Sequence, residues 1–347
     1  MRVAVFYGPE DLRLEERPRP TPKDHELLIE VGACAICGSD LRTYRFGARN
    51  ITRPVVIGHE IAGTIIEAGE ALAGWRAGER VAVAPAIPCC DCRYCRRGLP
   101  TMCDELRSIG YEYDGGFADC MIVPWSALRA GCVNRIPDGL SFEEAALAEP
   151  LACAINAQEL LGVGLDDAVA ILGAGPLGLM HAELAKVRGA RKVIIVDVRV
   201  RRLELARDFS ADVLIDGASE DVPARVLAET EGAGASVAIV AASSAEAQAQ
   251  ALTLAAKRGR ISFFGGLPKS NPMTSLNSNL IHYRELFVVG AYGSEPRHNR
   301  MALELLASGR INASRLISLV IPLERLMDGL AAAAEGRVLK VVVKPRL

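Results

Sequence analysis

The chain carries almost no excess of either charge: 40 Lys and Arg against 42 Asp and Glu leave a formal net charge of −2 over 347 residues. That balance offers no basic field to a phosphate backbone and disfavours nucleic-acid binding. Long apolar runs are missing too, and no stretch approaches the roughly 18 uninterrupted residues of a membrane span. The opening MRVAVFYGPEDLRLEERP alternates and soon becomes charged, so it reads as a strand and not as a signal peptide. There are no internal repeats, and the one low-complexity patch, Ala331–Ala334, reads as helix. A cytoplasmic globular protein is expected, with 50% hydrophobic and 24% charged residues. The length suggests about two domains. Cysteine is present in 10 copies, but most fall in two local groups, a pattern of metal binding and not of a secreted disulfide scaffold.

The most informative stretch is Ala168 to Asp197. The apolar run Ala168–Leu172 reads as a buried strand leading into Gly173-Ala174-Gly175-Pro176-Leu177-Gly178, a G-x-G-x-x-G motif. An amphipathic stretch from Leu177 to about Val187 then reads as a helix, and a second apolar run, Lys192–Val196, stops at Asp197. Strand, glycine turn, helix, strand and terminal acid make up the context in which this motif signifies a dinucleotide site. Gly173 permits the turn, Gly175 lets backbone approach a pyrophosphate, and Gly178 lets helix and strand pack closely. The pyrophosphate would rest on free N–H groups at the helix N-terminus. Asp197 would accept from both ribose hydroxyls and repel a 2′-phosphate, which points to NAD over NADP.

Upstream of this, residues 1 to about 150 offer short β-like runs among Gly and Pro: Val3–Phe6, Leu27–Val31, Ile61–Glu67, Arg80–Ala84 and Phe117–Val123. They read as a mostly β, partly barrel-like domain. From 168 the strand candidates 168–172, 192–196, 212–215, 236–241, 259–264 and 286–290 alternate with helices, as in a doubly wound parallel sheet. Beyond Ser294 the pattern returns to the first domain, so the nucleotide domain is an insertion. The expected division is 1–152, 153–293 and 294–347.

Cys89, Cys92, Cys95 and Cys103 lie in PCCDCRYCRRGLPTMC, a lobe at about 88–104. Four thiolates at this spacing suit a closed structural zinc site. An iron–sulfur cluster is the rival, but the fourth cysteine is followed by Asp104 and not by proline. Cys90 is the odd one out. A second set is scattered: Cys37-Gly38-Ser39-Asp40, Gly58-His59-Glu60 and Glu149-Pro150. A thiolate, an imidazole and one or two carboxylates suit zinc with an exchangeable position, although each residue alone also fits an ordinary buried or solvated role. Asp40 could orient the second ring nitrogen of His59, and Ser39 could take a proton from a bound hydroxyl.

CGSD at 37–40, GHE at 58–60, the four-cysteine lobe, DGGFAD at 114–119, AEPL at 148–151 and GAGPLG at 173–178 together resemble the zinc-dependent medium-chain dehydrogenase/reductase family across essentially the whole chain. The resemblance implies an α/β protein: a GroES-like catalytic domain and an inserted Rossmann domain with a six-stranded parallel sheet, the active site in the cleft between them. It implies Cys37, His59 and Glu60 as ligands of a catalytic zinc. Glu149 would be a fourth, direct or through water, so two zinc ions are expected per subunit. Leu177, Asp197, Arg202, the turn Phe264-Gly265-Gly266 and Ala291-Tyr292 are implied as NAD contacts, beside Gly173, Gly175, Pro176 and Gly178.

Glu60 with Glu149 resembles the polyol and threonine dehydrogenase branches. Two histidines frequent in the threonine branch are absent: Leu99-Pro100-Thr101-Met102 fills one segment and Arg42 the other position. The reading is therefore oxidation of a secondary alcohol of a sugar alcohol, sugar acid or sugar phosphate with NAD. L-threonine 3-dehydrogenase is the alternative within the family. A zinc-less quinone reductase, or a nucleotide-binding non-enzyme, is the alternative outside it. Arg42, Arg45, Arg49 and Arg53 could grip an anionic substrate group, although such runs more often form a solvated face. A homo-oligomer is expected, tetramer before dimer, paired through the strand at 286–290.

Overall fold

The computed structural model describes residues 1–347. The chain folds as two compact units, Met1–Ala152 with Gly293–Leu347, and Cys153–Tyr292. No helix is long and apolar enough to cross a membrane.

The first unit is built on strands rich in β-branched and small apolar residues. Its seven-stranded sheet runs Val133–Arg135, Arg80–Val83, Glu60–Ala68, Leu27–Ala35, Lys340–Lys344 and Ile317–Pro322, with Cys120–Val123 also paired to Leu27–Ala35. The register brings together residues far apart in sequence. Glu60 lies opposite Ala35, and Ala35 lies opposite Val342, so Glu60 and the strand from Lys340 sit across one shared strand. Ile29, Val31, Ile61, Ile65, Phe117, Val341 and Val343 are buried together in the core of this unit. A three-stranded sheet orders Asp11–Glu16, Arg2–Gly8 and Val55–Val56.

Two elements differ from the sequence reading for identifiable reasons. The strand expected over 117–123 begins only at Cys120, because Phe117 and Asp119 bond instead to Ala4 and Arg2 of the first strand. The strand Asp11–Glu16 is too charged to signal itself; it pairs antiparallel with Arg2–Gly8, and Arg13 and Leu14 stay exposed.

The second unit is a parallel sheet in the order Val213–Asp216, Lys192–Asp197, Ala168–Leu172, Ala235–Val240, Ala255–Phe263 and Phe287–Gly290. This is the doubly wound order, reversing direction between Ala168–Leu172 and Ala235–Val240. Gly173 leaves its strand at φ +115° with Ala241 and Ala242 alongside, which places the glycine turn at that reversal. The helix Pro176–Val187 follows with Gly175 as N-cap and proline at its first position, where a missing N–H costs nothing.

Gly178 is constrained most tightly, since a Cβ added there would stand 1.8 Å from the Gly173 carbonyl oxygen. Backbone cannot yield as a side chain would. Gly178→Ala should therefore lower stability by about 1–3 kcal/mol, read as a shifted urea midpoint. An unchanged midpoint would contradict this packing.

Candidate active site

Cys37 sits at the N-cap of the helix Gly38–Phe46, and Asp40 in that helix's first turn accepts from the Cys37 backbone N–H at 2.8 Å. That reciprocal cap fixes the approach of the Cys37 side chain and leaves the second Asp40 oxygen free to point inward. This oxygen meets His59 Nδ1 at 3.1 Å, with Asp40 and His59 both buried. A carboxylate on Nδ1 holds the proton there and leaves Nε2 as the ligating lone pair. Burial alone would discharge His59, but the facing Asp40 carboxylate and Cys37 raise the imidazole well above its ordinary range, so a metal would bind Nε2 by displacing a proton from it.

The ligand atoms of Cys37, His59 and Glu60 all lie within 4.8 Å of one another. One sulfur, one nitrogen and one carboxylate oxygen converging at this spacing fit zinc. The backbone supports the close approach: Gly58, at φ +95°, precedes His59, and a Cβ on it would strike Phe117 and Cys34. Ser39 Oγ is 3.3 Å from His59 Nε2, beside the position a metal would take. Glu149 belongs to the first turn of the helix Ala148–Leu161 and is half-buried. It is not part of the three-residue cluster, yet its charge acts on Lys340.

Two residues of this centre carry no recognisable motif. Lys340 is buried, and its ammonium bonds both carboxylate oxygens of Glu60 and the Ile36 carbonyl. The available signal is a cation inside the apolar strand LKVVVK, where its face should be apolar. Tyr111 packs its ring 5.9 Å from that of His59, and burial raises its phenol above the usual value. Nothing in SIGYEYDGG marks it. In the basic run all four arginines, Arg42, Arg45, Arg49 and Arg53, are exposed, and Arg53 donates to the carbonyls of Pro54 and Glu112.

The lobe gathers Cys89, Cys92, Cys95 and Cys103 within the same 4.8 Å limit. Sulfurs at the corners of a zinc tetrahedron stand about 3.8 Å apart for a Zn–S bond of about 2.3 Å. Cys89 to Cys95 measures 4.0 Å and Cys92 to Cys103 measures 3.9 Å. Backbone N–H groups point at these sulfurs, from Cys89 to Cys103 Sγ at 3.2 Å and from Cys92 to Cys89 Sγ at 3.3 Å. Backbone N–H groups of Cys95 and Asp104 pull the Cys92 thiol down to about 6, while burial and shared thiol contacts push Cys95 up to about 12. All ten cysteines are free, and Cys90, exposed at φ 64°, stands outside the cluster.

In the second unit the residues expected at a dinucleotide also cluster at the strand ends. A Cβ on Gly175 would meet nothing within 4 Å, the open approach a pyrophosphate requires. Asp197 accepts from the backbone N–H of Ala174 at 2.7 Å and of Arg199 at 2.8 Å, so the acid is fixed by the glycine turn itself. Arg202 is half-buried with its Nη1 unpartnered, and burial lowers its pKa against the pull of Asp197. An orphaned guanidinium donor suits an anionic or hydroxylated ligand. Pro176 and Leu177 open the helix, and Phe264, Gly265 and Gly266 follow the strand Ala255–Phe263. There Gly265 donates to the Val240 carbonyl at 2.7 Å. Ala291 and Tyr292 follow the strand Phe287–Gly290, with Tyr292 exposed and its carbonyl accepting from Asn156.

Cys95→Ser opens the closed four-sulfur site, so it should lower the melting temperature and the zinc content together. A soluble variant with both unchanged would show that the lobe does not depend on metal.

The chain matches the family model "Alcohol dehydrogenase GroES-like domain" over residues 23–134 and "Zinc-binding dehydrogenase" over 176–308. It is 33% identical to a sorbitol dehydrogenase of Bombyx mori over 353 residues, covering 98% of this chain and 97% of that protein. Among solved structures, a Sinorhizobium meliloti 1021 protein bound to NADP superposes with a TM-score of 0.91 at 32% identity, covering 99% of each chain. An alcohol dehydrogenase of E. coli CFT073 complexed with NADH gives 0.89 at 30% identity, again over 99% of each. The chain belongs to the zinc-type medium-chain alcohol dehydrogenase family, on its polyol branch, and is an oxidoreductase.

Proposed function

We propose that this chain oxidises a secondary alcohol of a sugar alcohol, sugar acid or sugar phosphate to the ketone, with zinc at Cys37, His59 and Glu60 and NAD as acceptor. The observation that carries this reading is the convergence of those three unlike ligands within 4.8 Å, with the second His59 nitrogen held by buried Asp40. The full-length likeness to a sorbitol dehydrogenase supports a polyol as the substrate class.

When bound, zinc supplies the charge that acidifies the alcohol hydroxyl, and NAD receives the hydride from its carbon. Cys37, His59 and Glu60 would hold the metal, and Glu149 is the further carboxylate for it. Asp40 keeps the His59 proton on Nδ1 and so keeps Nε2 available. Ser39 Oγ, beside that nitrogen, would accept a hydrogen bond from the substrate hydroxyl and pass its own proton on towards water as it receives the substrate's. In the second unit, the N–H groups at the start of Pro176–Val187 receive the pyrophosphate and Asp197 receives the ribose. The strand Phe287–Gly290 ends its sheet with Phe287 half-exposed, and a second copy of this chain is the partner we assign to that edge.

Polyols, sugar acids, sugar phosphates and L-threonine, each offered with NAD, test the substrate class through NADH absorbance. The highest kcat/KM is expected on a sugar-derived secondary alcohol, and preference for threonine would overturn it. His59→Ala should lose about one zinc per chain and several orders of magnitude in kcat, while NAD affinity stays within about tenfold, or about 1.4 kcal/mol. Substantial turnover in that variant would contradict the zinc mechanism. The wild type should prefer NAD over NADP, and Asp197→Ser should narrow that preference. Comparable kcat/KM for the two cofactors in the wild type would contradict the role given to Asp197.

A further inference from the structure

Glu60 and Lys340 form an ionic pair inside the first unit, the carboxylate at 0% exposure and the ammonium's residue at 5%. The ammonium has three donors, and the two Glu60 oxygens and the Ile36 carbonyl provide three acceptors. All three donors are thereby met, two of them by the carboxylate of Glu60, one of the three residues assigned to a metal.

This arrangement creates a competition. Glu60 is one of the three residues whose ligand atoms converge within 4.8 Å, yet both of its oxygens already face Lys340. A carboxylate shared between two cations gives less of its charge to each. Resting on the reading of Cys37, His59 and Glu60 as metal ligands, we propose that Lys340 is a positioning residue that restrains Glu60 and thereby limits how tightly the catalytic zinc is held. By keeping one negative charge partly engaged, it leaves the metal more electrophilic and its fourth position easier to exchange. The strand register makes the restraint rigid, because Lys340 and Glu60 reach each other around the shared strand Leu27–Ala35.

An orienting support whose only task is to hold a ligand in place gives the opposite result: its removal weakens metal binding by about 10–100-fold. The two roles thus differ in sign. Zinc release from the purified enzyme to an excess of chelator is the readout, with kcat and NADH affinity measured beside it. Lys340→Met should slow release of the catalytic zinc by about tenfold and lower kcat, with NADH affinity unchanged. Lys340→Gln should do the same in case the methionine variant folds poorly, since it can still bond Glu60 but carries no charge. Lys340→Arg should behave like the wild type. Combining Lys340→Met with Glu60→Gln should return zinc release to the wild-type rate or faster. Release from Lys340→Met at or above the wild-type rate, with Glu60 intact, would overturn the proposal. A wild-type enzyme that holds one zinc per chain would instead overturn the metal-centre reading, and the proposal with it.

Discussion

The candidate metal centre depends on two buried ionic contacts, Asp40 to His59 and Lys340 to Glu60. The first orients the imidazole that would ligate, and the second engages both oxygens of a carboxylate that would ligate, so the two act on the centre in opposite senses. Removing one partner of such a pair commonly costs about 3–5 kcal/mol, because the other is left buried and unpaired. Both contacts also tie together elements distant in the chain. The helix Gly38–Phe46 caps itself with Asp40, and the strand from Glu60 pairs along Leu27–Ala35. The chain's closing strand, Lys340–Lys344, lies on the far side of that shared strand. The reactive cluster thus draws on segments at opposite ends of the sequence.

The two cysteine environments illustrate how the same ligand type serves different ends. In the lobe, four sulfurs stand near tetrahedral spacing and leave no vacant position, so the group suits a staple for a long loop. At Cys37 a single sulfur shares the site with a nitrogen and an oxygen, a donor set that tolerates exchange. A similar division of labour holds in the second unit. There Gly173 and Gly178 serve backbone geometry, while Gly175 leaves open space for a ligand.

Much of this is legible from the residues. The glycine turn, its flanking strands and Asp197 form one continuous segment, and local patterning is enough to read such a segment. The four lobe cysteines announce themselves by density. The candidate metal ligands are harder, since Cys37 and His59-Glu60 lie about twenty positions apart and each has a dull reading alone; the family resemblance joins them. Lys340 and Tyr111 are not legible. A lysine in an apolar strand is informative only once its partner is known, and that partner is fixed by long-range strand register. The strand Asp11–Glu16 escapes a sequence reading for a related reason, because its edge position permits charges that a central strand would exclude.

Two candidate metal sites of different character in one chain make the metal content of the purified protein the most direct test. The account predicts two zinc ions per chain, one of them more readily removed, with turnover disappearing as that ion leaves and returning when zinc is restored. A fully active enzyme carrying a single zinc per chain would contradict it, because the lobe alone would then account for the metal.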